Sequence, residues 1–146
     1  MNTQDITQRV AVRAVIIKDN KVLALRESQG YEGGSQHGKY DFPGGKVGIG
    51  ESVHEALHRE VREEIGTEVE ILEPFYVDEW RPTVNGQPLQ IIGLFYYCNL
   101  LDENITLSKD HDEYKWIPLS EYKDYPLVRE KRRALDVVTA NRTTHE

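Results

Sequence analysis

Between Gly30 and Gly50 the chain carries eight of its eleven glycines, together with Pro43, and this run leads directly into a helical pattern. So many glycines cannot form a packed element, because each lacks a side chain to bury and each loses more backbone entropy on ordering than any other residue. The stretch is therefore expected to be loop, with one short strand at Tyr40-Asp41-Phe42. Beyond it Ser52 is placed as an N-cap, with Glu55 at the capping-box distance. Val53, Leu57, Val61 and Ile65 then recur along one stripe, and Gly66 is a natural helix stop. A glycine bend feeding an amphipathic helix is the fixed point around which the rest must fold.

The surrounding chain supplies strands. Residues 8 to 18 and Lys21 to Leu25 are rich in β-branched and apolar types, with Asp19-Asn20 between them as turn chemistry, so the pair is expected to be a hairpin. Further strand-like segments run over Val69 to Trp80 and Leu89 to Leu101, separated by Asn85-Gly86. Glu113 to Ile117 forms another. Tyr125 to Ala140, with Pro126 near its start, is expected to be a C-terminal helix. Strands and helices mixed in this way predict an α+β or α/β sandwich. The 146 residues suit one domain, which at this size buries roughly 70% of its unfolded surface without disulfide or structural metal.

Composition narrows the setting. Cys98 is the sole cysteine, which excludes a disulfide-stapled module. No apolar run approaches the ~20 residues that span a bilayer, and Met1 to Arg9 has no apolar signal core. A cytoplasmic protein without membrane attachment is the expectation. With 18 Lys+Arg against 25 Asp+Glu the net charge is −7, which disfavours duplex nucleic acid as a partner. Anionic small substrates then require a cation to screen the carboxylates.

Such a cation has an evident place. On a helix Glu60 and Glu64 lie about 40° apart, and Glu63 about 60° from Glu60 on the other flank. Three carboxylates crowd one sector, at a cost to an isolated helix of ~0.2–0.5 kcal/mol per pair. Arg59 and Arg62 offset part of that. A solvated acidic face would explain the cluster alone, but not its position beside exposed glycine backbone. Clustered carboxylate oxygens, with loop carbonyls free to approach, suit a hard cation such as Mg²⁺ or Mn²⁺.

These residues carry a resemblance. Gly45, Glu51, Arg59-Glu60-Val61, Glu63-Glu64 and Gly66 reproduce the Nudix box, G-x5-E-x7-R-E-U-x-E-E-x-G-U, where U is a bulky aliphatic. Only its last position departs, as Thr67. Tyr40-Asp41-Phe42-Pro43-Gly44-Gly45 resembles the preceding W-x-x-P-G-G segment with Tyr40 for tryptophan. Leu23-Ala24-Leu25-Arg26 is similar to the family's second strand. Asp110-His111-Asp112-Glu113-Tyr114-Lys115-Trp116 resembles the late E-H-x-E-x-x-W segment, with Asp110 in place of its first acid.

The resemblance implies an α/β/α sandwich with a mixed sheet, as one Nudix domain over residues 1–146. It further implies a hydrolase of nucleoside diphosphates linked to another group X. The carbonyl of Gly44 with Glu60 and Glu64 would ligate Mg²⁺ or Mn²⁺. Glu63 would be a further ligand or would orient or deprotonate the attacking water, with Glu113 and Asp110 as alternatives for that task. Arg59 would hold the glutamates, Glu51 would support the loop–helix junction, and Arg26 would reach substrate phosphate. A homodimer is a common assembly in the family.

Competing signals are thinner. His54-Glu55-Ala56-Leu57-His58 matches the H-E-x-x-H zinc motif, yet both histidines point beside the apolar stripe and no third ligand is evident. Tyr31, Tyr76, Trp80, Tyr96 and Tyr97 are candidates to stack a base or to fill the core. Pro82 occupies a place where proline accompanies ADP-ribose activity in some relatives. Nucleoside triphosphates, ADP-ribose, nucleotide sugars and dinucleoside polyphosphates are all open, with a small (d)NTP-type nucleotide favoured because little chain remains for a second recognition module. A module that binds nucleotide without cleaving it is the alternative of another class. Binding-only relatives tend to lose the acids that stand here at 60, 63 and 64.

Overall fold

The structure, a computed structural model, describes residues 5–30 and 36–145. The base-stacking candidate Tyr31 lies outside the described residues. Eight strands form one mixed sheet: β1 Thr7–Lys18, β2 Lys21–Glu27, β3 Tyr40–Asp41, β4 Gly44–Lys46, β5 Val69–Trp80, β6 Thr83–Val84, β7 Gln87–Leu100 and β8 His111–Pro118. Two helices, α1 Val53–Ile65 and α2 Arg129–His145, pack on opposite faces. The expected α/β/α sandwich with a mixed sheet is what is found.

The two layers follow from alternation along the buried strands. In β1, Val12, Ala14 and Ile16 face α1, where they meet Leu57, Val61 and Ile65. Val15 faces α2, beside Leu135 and Val138. In β2, Leu23 and Leu25 join the α1 layer while Val22 and Ala24 join the α2 layer.

The functional corner exists because β1 and β2 part company. They pair only next to the turn, at Ile17–Val22 and Lys18–Lys21, where Asp19 and Asn20 both adopt positive φ. Beyond that β1 runs parallel to β7 and β2 antiparallel to β8. Residues 40–46 bridge the resulting fork. β3 pairs with β2, setting Asp41 opposite Leu25, and β4 pairs with β1, setting Gly44 opposite Arg13. The Ala14 amide donates to the Pro43 carbonyl at 2.7 Å, and fully buried Phe42 meets Phe95 edge to face.

Helix α1 begins and ends as its sequence dictates. The Ser52 side chain accepts the Glu55 amide, and Gly66 closes the helix at φ 68°, its amide bonded to the Arg62 carbonyl. Two expectations need correction. The glycine run holds a second short strand, β4, since Gly44-Gly45-Lys46 pairs with the middle of β1. The C-terminal helix starts at Arg129 rather than Tyr125. Residues 126–128 are drawn instead alongside β3, where the Tyr40 amide donates to the Pro126 carbonyl and the Val128 amide to the Tyr40 carbonyl. That pairing buries Leu127 and Val128, and the tertiary contact overrides the local helix preference.

Truncating Phe42 should expose how much the corner depends on this packing. Phe42→Ala is expected to cost about 3–5 kcal/mol in urea denaturation, whereas Ile49→Ala, at a fully exposed site, should stay within about 0.5 kcal/mol of the parent. Equal effects would contradict the packing described.

Candidate active site

Helix α1 presents its acids to β4, and glycine is what lets the two meet. A Cβ on Gly45 would lie 2.5 Å from the carboxyl carbon of Glu60. A Cβ on Gly44 would lie 2.0 Å from the Val12 carbonyl oxygen, and Gly44 sits at φ 149°, where other residues are strained. The Gly44 amide donates to Glu64 Oε2 at 3.3 Å. Gly44, Glu60 and Glu64, singled out from the sequence, are thus in mutual reach.

Arg59 ties the corner together. Its Nε and Nη2 grip both oxygens of Glu51 at 2.7 and 3.0 Å, its Nη1 reaches Glu60 at 3.0 Å and Glu63 at 3.3 Å, and Nη2 also donates to the Lys46 carbonyl at 3.0 Å. Glu51 in turn accepts the Gly48 amide at 2.9 Å. The Arg59 hydrogen bonds, helped by Gly48, hold the Glu51 carboxyl down at about 2. Arg59 itself stays cationic, its pKa raised chiefly by Glu51.

The inner carboxylates behave oppositely. Burial pushes Glu60 above its ordinary value, against the pull of Arg59. Burial pushes Glu64 well above its own, only partly opposed by Arg13. Among the described residues no Lys, Arg or His forms an ion pair with Glu64. Glu63 remains 58% exposed. Two drying carboxylates, a flanking exposed one and a nearby glycine carbonyl make an all-oxygen donor set, which is what Mg²⁺ or Mn²⁺ takes while retaining several waters. Among the described residues no three His, Cys, Asp or Glu side chains are gathered closely enough to hold a metal by themselves.

Other candidates lie elsewhere. Arg26 is engaged by Asp112 at 2.8 Å and Glu113 at 2.9 Å, and Glu113 also accepts the Tyr40 hydroxyl at 3.2 Å and lies 3.8 Å from Lys115. The Asp110 amide donates to the Ser108 hydroxyl, in a segment that docks on the end of α1 through Thr106 and Ser108 amides. His54 packs edge-on against Tyr96, and His58 stands 4.0 Å from Glu68. Tyr96 belongs to the α1 layer, while Tyr76, Trp80 and Tyr97 pack on the α2 layer. Cys98 is buried.

Sequence reasoning missed a group behind the corner. Arg13 Nη1 donates to the Phe42 carbonyl at 3.0 Å and the Gly44 carbonyl at 3.5 Å, and stands 3.6 Å from Asp41. Lys131 of α2, only 2% exposed, lies 3.4 Å from the same Asp41 oxygen and 4.2 Å from the Trp80 ring centroid. Burial lowers the Lys131 ammonium to about 8, against the pull of Asp41. Burial raises Asp41, but Arg13 and Lys131 outweigh it and leave the carboxyl below its ordinary value. The one available signal was Arg13 itself, a charge set within the otherwise apolar run from 10 to 17.

Comparisons with known proteins agree with this geometry. A family model described as NUDIX domain matches residues 7–138. The chain is 35% identical over 119 residues to the CTP pyrophosphohydrolase of Escherichia coli K12, covering 80% of this chain and 81% of that protein. It is 30% identical over 127 residues to Nudix hydrolase 2 of Arabidopsis thaliana, covering 84% of this chain but 44% of that longer protein. The crystal structure of a MutT protein from Methanosarcina mazei Go1 superposes with a TM-score of 0.81 at 25% identity, over 96% of this chain and 97% of that one.

The raised carboxyl of Glu64 makes a signed prediction. A carboxyl whose folded pKa exceeds its unfolded value binds more protons when folded, so its contribution to stability is lost as pH rises through the folded pKa. In chelator-treated protein, Glu64→Gln should therefore melt increasingly above wild type as pH climbs from about 4 to neutrality, with the gap closing at the acid end. A gap independent of pH, followed by circular dichroism melts, would show that Glu64 is not dried by the corner.

Proposed function

This chain belongs to the Nudix hydrolase family, and from that premise we propose that it is a Mg²⁺- or Mn²⁺-dependent pyrophosphohydrolase acting on a small nucleotide of (d)NTP type. The observation that carries the proposal is the apposition of Glu60 and Glu64 to the glycine backbone at 44–45. Nudix hydrolases as a family use divalent metals. In this chain the Gly44 carbonyl, Glu60 and Glu64 would hold the ion, with Glu63 beside them. Held there, such an ion would supply charge neutralisation of the diphosphate and a more acidic water.

The chain's own residues do the rest. Arg59 fixes Glu60 and Glu63 relative to one another, so the acids need not reorganise when substrate arrives. Glu63, exposed and held by one guanidinium nitrogen, accepts the proton of the attacking water. Attack at phosphorus forms a new P–O bond, the anhydride P–O bond breaks, and from a triphosphate the products are nucleoside monophosphate and pyrophosphate. Arg26 offers its cation to substrate phosphate as Asp112 and Glu113 release it.

The triphosphate preference is supported by similarity to the bacterial CTP pyrophosphohydrolase, which the chain matches over most of both lengths. The complete set of acids at 60, 63 and 64 favours cleavage over mere binding. Among the described residues no helix is long and apolar enough to cross a membrane, and the thiol of buried Cys98 lacks a partner for an internal disulfide. Both suit the proposed cytoplasmic enzyme, read as one domain over residues 1–146.

Hydrolysis of a nucleotide panel, followed directly as nucleoside monophosphate formed and separated by ion-exchange chromatography, tests the proposal. Turnover is expected with Mg²⁺ or Mn²⁺ and lost with chelator. Glu64→Gln should lower it by about two orders of magnitude or more with the far-ultraviolet spectrum unchanged. Activity indifferent to chelator, or a near wild-type rate for the variant, would refute the ligand set. Absence of turnover on every nucleotide would favour the binding module.

A further inference from the structure

The charged group behind the corner is not explained by stability. Drying an ammonium to 2% exposure is expensive, and an apolar residue of the same size usually serves a core as well or better. Lys131 is nevertheless retained on the inner face of α2, over the Trp80 ring. That ring has its own provision, since a Cβ on Gly93 would lie 2.5 Å from it. From Lys131 the contacts run in one direction: to Asp41 Oδ1, from Asp41 to Arg13, and from Arg13 to the carbonyls of Phe42 and Gly44. Asp41 also accepts the Phe42 amide at 2.7 Å.

We propose that Lys131, Asp41 and Arg13 form a positioning chain that anchors the Gly44 carbonyl to α2 and so sets the affinity of the corner for its divalent cation. The inference rests on the metal site proposed above and adds residues that are not among its proposed ligands. The geometry is suited to the task. A carbonyl oxygen has two lone pairs, so Gly44 can accept from Arg13 and still face an ion. Its amide is bonded to Glu64, so the residue that offers the carbonyl is also tied to a carboxylate of the corner. Gly44 offers no side chain, so its orientation is set through its backbone: the pairing with β1, the bond to Glu64 and the contact from Arg13. The Arg13 guanidinium is steered by Asp41, and Asp41 by the dried Lys131. Partners that orient the ligands of a metal typically govern its affinity by about 10–100-fold.

The test is binding of Mn²⁺ alone, without nucleotide, by titration calorimetry and electron paramagnetic resonance on the full chain. Lys131→Met, Asp41→Asn and Arg13→Met are each expected to weaken Mn²⁺ by about 10-fold or more. Arg133→Met, which removes the Asp78 contact from the same helix, should leave the affinity within twofold. Circular dichroism melts accompany each variant. If one of the three fails to fold, the double variant Lys131→Met/Asp41→Asn removes both charges together and is expected to show the same loss. Folded variants that bind Mn²⁺ as wild type does would overturn the positioning chain while leaving the metal site standing. Failure of wild type to bind Mn²⁺ would overturn the chain and the metal site together.

Discussion

Everything in this protein's chemistry depends on carboxylates held out of water against a bare peptide backbone. Glu60 and Glu64 stand on successive turns of α1, the Glu60 carboxyl filling the space a Cβ on Gly45 would need and Glu64 accepting the Gly44 amide. Drying two acids so close together raises the free energy of the ionised, metal-free state, and it is felt as the upward shifts of both groups. A hard cation relieves the drying and the mutual repulsion at once. The fold supplies the pressure. α1 is fixed by its apolar stripe, β4 by its pairing with β1, and the Arg59–Glu51 pair fastens the loop between them.

The sheet's division at β1 and β2 is the second constraint. Had the hairpin zipped along its length, residues 40–46 would have had no strand edges to join. With β7 on the outer edge of β1 and β8 on that of β2, the inner edges of the two strands separate beyond the turn and stay open where the corner enters, with Phe42 as the plug on the α2 side and the glycines on the α1 side. The same arrangement sets Arg13, on the far face of β1, behind the Gly44 carbonyl. Metal chemistry and core packing are thus separated by the thickness of one strand.

Local chemistry made much of this legible in advance. Ser52 and Gly66 mark the ends of α1 through backbone hydrogen bonds that need nothing beyond the helix itself. Asp19-Asn20 and Asn85-Gly86 announce turns by tolerating positive φ, and they do adopt it. The acids at 60, 63 and 64 could be placed on one sector from helix geometry alone. What stayed hidden depends on distant pairing. Gly44–Lys46 has no strand propensity and is a strand only because β1 lies beside it. Pro126 reads as a helix start until the Tyr40 backbone claims its carbonyl. Lys131 and Asp41, ninety residues apart in the chain, carry no pattern that links them. Arg26 is a strand-end arginine in the sequence, and only the arrival of β8 shows that two carboxylates already hold it.

The most direct test is an anomalous difference map from crystals soaked in Mn²⁺. A single cage at the corner predicts a peak bounded by the Gly44 carbonyl and the carboxylates of Glu60 and Glu64, with Glu63 alongside. Density at another place, or the two inner acids swung apart with nothing between them and the glycine backbone, would contradict it.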